Sequence, residues 1–374
     1  MNKRIVFYDA YLNESGIKGG SCSSLFNLIN GIREKSKHEI ILLSNTTNNP
    51  YINRYLNLGV EIVSNKYLRS LIIYGRSNGL AKKLIKYSFN ALAANLWFIG
   101  FLRHNQPDII VYNDQRASST FILTNLLIKH KIQIISIIRG TKEIGSSFNR
   151  ISYKLSSTLI TVSQSVKNSL PDIAQKKAIV IHNGIESRCV HNNNKTNELI
   201  HLITVANIAR YKGIDLAIHA ISRFSVKLQK KIVYHIVGAI KDTSYYEELR
   251  ELYLSLKCEF IIKYEGIQED VYTFLSRSDI FILPSREEGF GLVLLEAMDC
   301  SLPLIGSSVG GIPEIVKDGY NGFIFDKNNH VELEAKLKKL IEDKALREKF
   351  AENSKIRLKQ FSIDQTVQKY LQLL

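Results

Sequence analysis

Short apolar runs alternate along this chain with longer stretches whose apolar residues repeat at helical spacing. In the first half the runs are Arg4–Tyr8, Glu39–Leu43, Ile109–Tyr112, Gln133–Ile138, Thr158–Val162 and Ala178–Ile181. In the second half they are Ile200–Val205, Lys231–Val237, Phe260–Tyr264, Ile280–Leu283, Pro303–Gly306 and Gly322–Phe325. Runs that are apolar throughout, rather than alternating with polar residues, suit strands covered on both faces. Helical segments between them predict parallel sheets with helical crossovers. The polar run Glu186–Asn197 has no hydrophobic periodicity and reads as a linker. We therefore expect an α/β protein of two doubly wound, Rossmann-like domains facing a central cleft, over 1–185 and 199–361, with a linker over 186–198.

Length and composition agree with this reading. A chain of 374 residues suits two domains with substantial cores. No apolar run approaches the ~20 residues of a membrane-spanning helix, and the start of the sequence lacks the apolar core of a signal peptide. Cys22, Cys189, Cys258 and Cys300 are far apart and form no metal-binding spacing, so no structural disulfide is expected and a reducing cytosol fits. The net charge of +15 is uneven: residues 1–190 hold 25 Lys and Arg against 10 Asp and Glu, whereas the rest hold 25 of each. The basic half points to an anionic partner. A membrane surface or a pyrophosphate-bearing acceptor fits better than nucleic acid, for which no recognised motif is present. Within that half, Lys66–His104 mixes Trp97, Phe98 and Phe101 with many cations. The lysine-bearing face of Leu68–Phe89 is a candidate for lying on a membrane, and an ordinary packed helix reads the same pattern equally well.

The densest chemistry lies in Ser285–Asp326. An apolar strand ends at Pro284, an acidic glycine-containing turn follows, and a helix starts near Gly291. This order places ligand groups at the carboxyl ends of strands. Gly289 and Gly291 allow close backbone approach, and the helix start offers N–H groups to a phosphate. Glu288 and Glu296 can accept hydrogen bonds from sugar hydroxyls. Phosphate and polyol recognition side by side suggest a sugar nucleotide. Upstream, Thr204–Gly213 ends a strand in a turn carrying Arg210 and Lys212, cations suited to a diphosphate leaving group.

Glu288 and Glu296, seven residues between them, followed by Gly310-Gly311-Ile312-Pro313-Glu314 and Asp318-Gly319-Tyr320-Asn321-Gly322, resemble the retaining glycosyltransferases of family 4, which have the GT-B fold. The resemblance runs from about Val162 to Asp326. It implies that Lys212, with Arg210, holds the donor diphosphate. It also implies that Glu288 and the turn Gly289-Phe290-Gly291-Leu292 orient the donor sugar, and that Glu296 takes the ribose. The family arginine usually lies five residues before the lysine, where this chain has Asn207. Gly238 and Ile267 match loops where relatives seat the base, and Gly19 and Gly20 match a glycine loop near the donor phosphate. The last helix of such proteins returns to the first domain, and Ser362–Leu374 is the candidate here.

The first domain lacks the histidine many relatives carry. Asp114, Arg139 and Glu143 stand after strands and are candidates for the acceptor side, or for caps and surface positions. No D-x-D and no His/carboxylate cluster suited to a divalent cation is present, and the resemblance likewise implies a reaction without metal or other cofactor. The reading is a retaining transferase at the inner face of the cytoplasmic membrane. It would move a hexose or N-acetylhexosamine from a nucleotide diphosphate, UDP favoured, to a polyprenyl-diphosphate-linked saccharide in surface-polysaccharide synthesis. A GDP-mannose-using transferase, a sugar-nucleotide epimerase or hydrolase, and a non-catalytic membrane-associated relative are the alternatives.

Overall fold

A computed structural model describes residues 2–10, 12, 20–46, 50–65, 67–68, 80–141, 144, 146–189 and 199–374. Gly19, Glu143, most of the linker and much of the Leu68–Phe89 region lie outside the described residues. The chain divides into two compact units, one of residues 1–183 with 363–374 and one of residues 184–362.

The first unit has strands β1 (Arg4–Asp9), β2 (Glu39–Ser44), β3 (Glu61–Val63), β4 (Ile109–Tyr112), β5 (Gln133–Ile138), β6 (Thr158–Thr161) and β7 (Ala178–Val180). They form one sheet in the order β3-β2-β1-β4-β5-β6-β7, every neighbouring pair parallel. The strand β3 has no counterpart among the apolar runs. It has three residues, none of them buried, and sits at the sheet edge, where one-sided packing leaves no apolar signature. The C-terminal helix Ile363–Leu371 packs on the helix Gly20–Lys35, with Val367 against Gly31. All of the chain's excess charge is in this unit, with 25 basic and 10 acidic residues.

The second unit has β8 (Ile200–Val205), β9 (Ile232–Val237), β10 (Ile261–Gly266), β11 (Ile280–Leu283), β12 (Leu304–Ser307) and β13 (Gly322–Phe325). Their order is β10-β9-β8-β11-β12-β13, again all parallel. The apolar runs lie within one or two residues of the observed strands, and β4, β5, β8, β11 and β13 coincide with them. Residues such as Leu202, Tyr234, Ile280, Ile282 and Ile305 have no more than trace exposure, because helices cover both faces of the sheet. In both units the strand order reverses direction at one pair, β1/β4 in the first and β8/β11 in the second. Crevices at the carboxyl ends of such pairs are where doubly wound sheets bind ligands.

The expectation of no structural disulfide is overturned, and with it the support that unpaired cysteines gave to a reducing cytosol. Cys189 and Cys300, 111 positions apart, form a disulfide with their Cα atoms 5.2 Å apart. The chain reaches this geometry through Asp299, a buried carboxylate that accepts hydrogen bonds from Ser187 Oγ (2.5 Å) and from the backbone N–H groups of Arg188 (2.7 Å) and Cys189 (3.0 Å). Pairing across that distance leaves no trace in local spacing. Cys22 and Cys258 are free thiols.

Candidate active site

The second unit gathers the sequence candidates at one edge. Asn207, Arg210 and Lys212 follow β8, Gly238 follows β9, Ile267 follows β10, and Glu288–Leu292 follow β11. Since β8 and β11 are neighbours in the sheet, the lysine turn and the acidic turn emerge side by side at the reversal point.

Arg210–Lys212 form a single 3-10 turn closed by Gly213 at φ +65°. A side chain at Gly213 would place its Cβ 2.0 Å from the carbonyl oxygen of Pro284, so only glycine lets the β8 turn lie against the end of β11. Lys212 Nζ then donates to Glu288 Oε2 at 2.7 Å, and the two side chains are only 16% and 14% exposed. Burial pulls the ammonium's pKa down, but the charge and hydrogen bond of Glu288 outweigh it and hold the lysine above its ordinary value. Glu288 also accepts from Ser285 Oγ (3.4 Å) and from the N–H of Gly289 (3.2 Å). The carboxylate is thus fixed in place before any ligand arrives.

The glycine pair downstream backs this turn. Gly310, at φ +55°, would put a Cβ 1.8 Å from the Glu288 carbonyl oxygen, and the N–H of Gly311 donates to the Gly289 carbonyl at 3.2 Å. Phe290 is buried, with its ring 6.1 Å from that of Phe361. Gly291 then caps the helix Leu292–Asp299.

Glu296 sits in that helix one turn from its start. Among the described residues its carboxylate has no hydrogen-bond or ion-pair partner. Burial pushes its pKa up to about 7, with Arg188 pulling it down and Asp299 pushing it further up. Tyr272, after β10, lies within electrostatic reach. Burial raises its phenol, and Glu296 and Asp299 add to that. Glu296 is half-buried, and a partly desolvated carboxylate with no partner is destabilising. A ligand hydroxyl would supply the missing donor.

Arg210 points its chemistry elsewhere. Its side chain is exposed, pairs with Glu248 at 2.5 Å and lies over the Tyr245 ring. The cation that organises the site is one the sequence reading missed, Arg286. It grips Asp215 with two parallel bonds of 2.7 and 2.6 Å and also donates to the Arg210 carbonyl and to Asn328. Its own N–H donates to the Tyr211 carbonyl at 2.7 Å. Burial would raise the Asp215 carboxyl, but Arg286 and the Tyr245 hydroxyl hold it below its usual range. This fork ties the turn after β11 to the turn after β8. Only the cationic residue itself, in an otherwise acidic turn, marked Arg286 in the sequence.

The remaining donor-side candidates are placed without a role being fixed. Gly238, at φ +150°, passes 2.1 Å (for an added Cβ) from the Ala206 carbonyl, and its N–H donates to Gly266. Ile267 is exposed at the mouth of β10, and Asn207 is half-buried beside Gly238. In the first unit Gly20 begins the helix Gly20–Lys35. Asp114 is buried and its Oδ1 accepts from the Ala117 N–H at 2.9 Å, capping the helix Gln115–Thr120. Arg139, after β5, donates to the carbonyl and side-chain oxygens of Asn113, to Ser24 Oγ (3.2 Å) and to Asn183 Oδ1 (3.4 Å). No group of three or more His, Cys, Asp or Glu that could hold a metal occurs among the described residues.

Two parallel Rossmann-like sheets with this strand-end site define the fold of the GT-B glycosyltransferases. The crystal structure of Anabaena Alr3699/HepE in complex with UDP and glucose superposes on the whole chain with a TM-score of 0.76 at 20% identity, and each chain is covered completely. The chain belongs to the glycosyl transferases of group 1, whose pattern matches residues 187–357. It is 32% identical over 258 residues to an uncharacterized glycosyltransferase of Methanocaldococcus jannaschii, covering 64% of this chain and 68% of that one. It is 26% identical over 297 residues to the capsular polysaccharide biosynthesis glycosyltransferase CapM of Staphylococcus aureus, covering 72% and 77%.

Proposed function

We propose that this glycosyltransferase moves a hexose or N-acetylhexosamine, with retention, from a UDP-sugar to a saccharide carried on a polyprenyl diphosphate, in the synthesis of a surface polysaccharide. The observation that carries the donor side is the pairing of Lys212 with Glu288 beside the unpartnered carboxylate of Glu296, at the reversal point of the second sheet. Lys212 would meet the diphosphate and offset the charge that grows on it as the bond from sugar C1 to phosphate oxygen breaks. Glu288, already fixed, would orient the donor sugar together with the amides of Gly289–Leu292. Glu296 would accept from the ribose hydroxyls, and Gly238 and Ile267 would flank the base.

In the retaining step the acceptor oxygen bonds to C1 on the face the phosphate leaves, and the acceptor proton passes to a phosphate oxygen. Such a route asks the protein for orientation and charge stabilisation rather than for a nucleophile, and no metal is required of it. Acceptor binding is assigned to the first unit's strand ends, at Asp114 and Arg139. Support for a lipid-linked acceptor comes from the basic charge of that unit and from the likeness to a capsule-synthesis enzyme. The reading places the enzyme in the cytoplasm, at the inner face of the membrane. No helix among the described residues is long and apolar enough to cross a membrane.

The test is a thermal-shift panel of UDP, GDP, ADP and CMP with their sugars, without metal, on wild type and Glu296→Ala. A ligand that binds the native state raises the melting temperature. Stabilisation of wild type by a UDP compound, lost in the variant, is the expected result. Stabilisation by GDP instead moves the donor to a GDP-sugar, and no shift with any nucleotide overturns the reading.

A further inference from the structure

We infer that the first unit docks on an anionic lipid bilayer through an apolar face built by three neighbouring helices, Leu80–Asn105, Ile122–Ile128 and Ser147–Leu155. These helices connect β3 to β4, β4 to β5 and β5 to β6. The three connections run the same way across the sheet, so right-handed crossovers put all three helices on one face. They pack in sequence, the middle helix touching both others. Thr124 is clamped to Asn95 by hydrogen bonds of 3.0 and 2.9 Å, which fixes the first two helices side by side at that level.

Around the clamp the outward positions are apolar. Leu92 and Leu96 form an exposed stripe beside Asn95, with Leu96 64% exposed. On the middle helix Leu123, Leu126 and Leu127 all face water, Leu127 at 65%. On the third, Phe148 (70%) and Ile151 lie one turn apart. Single exposed leucines are ordinary; seven large apolar side chains on three adjoining helices are not.

The charge around this face identifies what covers it. None of the three helices contains an acidic residue. Exposed Arg150 and Lys154 continue the stripe of Phe148 and Ile151, and exposed Lys129 and Lys131 follow the middle helix directly. A second copy of the chain would set cation against cation. An anionic bilayer accepts apolar side chains beneath its headgroups and attracts the basic rim. The inference rests on the membrane-borne acceptor proposed above, yet it requires no catalysis to test.

The experiment is flotation of the full chain with liposomes of phosphatidylcholine alone and with about 30% phosphatidylglycerol, a stand-in for an anionic leaflet. Leu123→Gln/Leu127→Gln and Arg150→Glu/Lys154→Glu are compared with wild type. We expect wild type to float with the anionic vesicles and each double variant to lose at least about tenfold in partitioning, while UDP raises the melting temperature of all three equally. Wild-type flotation of the leucine variant overturns the docking face. So does a leucine variant that turns a solution dimer into a monomer without changing flotation, which would make the occupant a second copy. If flotation behaves as expected but no nucleotide stabilises any protein, the docking face stands and the donor assignment falls.

Discussion

Lys212 and Glu288 are 76 positions apart in the chain, yet the ammonium of one donates to the carboxylate of the other at 2.7 Å. The pair is poised in the sense that matters for phosphate chemistry: each charge is held by its partner until a diphosphate competes for the lysine. Lys212→Ala is expected to lower kcat by about 10²–10³, the scale for loss of one group that stabilises developing negative charge. It should also destabilise the fold, because Glu288 is left largely buried without its cation. Glu288→Gln keeps the shape of the site and is expected to lower kcat far more than it changes donor KM. Steady-state kinetics with saturating acceptor separates the two.

Glu296 makes opposite contributions to stability and binding. Burial pushes its pKa up to about 7 from the ordinary 4.5, so between those values the folded chain holds a proton that the unfolded chain has lost. Stability contributed by this group therefore falls as pH rises from about 4.5 to 7, by on the order of 3 kcal/mol across the full interval. Glu296→Gln is expected to melt higher than wild type at pH 8 without ligand, and to bind UDP-glucose more weakly. In wild type the affinity for UDP-glucose should rise with pH through 7, since the ionised carboxylate is the better acceptor. Calorimetric titration at pH 6 and 8 checks the sign.

The Arg286–Asp215 fork is expected to act through position rather than contact with substrate. Arg286→Gln should cost about 2–3 kcal/mol in a denaturant titration, as two charge-assisted bonds are lost at a partly buried site. Because the Asp215 carboxyl is held below its usual pKa, that advantage is present above pH ~4 and disappears as the pH falls below it. The gap between wild type and variant should narrow on acidification. A constant gap from pH 7 to pH 3 would show that packing, not the ion pair, sets the loss.

Gly310→Ala tests the backing of the acidic turn. The new methyl would fall 1.8 Å from the Glu288 carbonyl oxygen in a left-handed backbone conformation. A loss of about 1–3 kcal/mol is expected from the strained backbone alone, with donor affinity falling in parallel because the turn must move. Gly319→Ala, also at positive φ but with nothing within 4 Å, should show the backbone cost without the loss of affinity.

The disulfide makes a count that is easily measured. Without reductant, the denatured protein should show two reactive thiols, Cys22 and Cys258, and after reduction four. Cys189→Ser is expected to lower stability by about 2–4 kcal/mol relative to the oxidised wild type, since a long loop is no longer closed in the unfolded chain. Four thiols before reduction would mean that the two sulfurs do not bond in solution.

The sequence by itself determined the parallel α/β architecture, because strands covered on both faces must be apolar throughout and that pattern is local. It also singled out Lys212 and Glu288, in glycine-containing turns after strands, and Glu296 in the helix that follows, as candidates for the donor site, on their local pattern together with the family resemblance. It missed β3, whose residues lack two-sided burial, and it missed Arg286, Asp215 and the Cys189–Cys300 bond. Those depend on which strands become neighbours. Only the sheet order that sets β8 beside β11 brings Arg286 to Asp215 across 71 positions. Likewise, only packing of one connecting helix against the next turns scattered leucines at 92, 96, 123, 126 and 127 into a surface. Periodicity reports which face of an element is covered, whereas the tertiary fold decides what covers it.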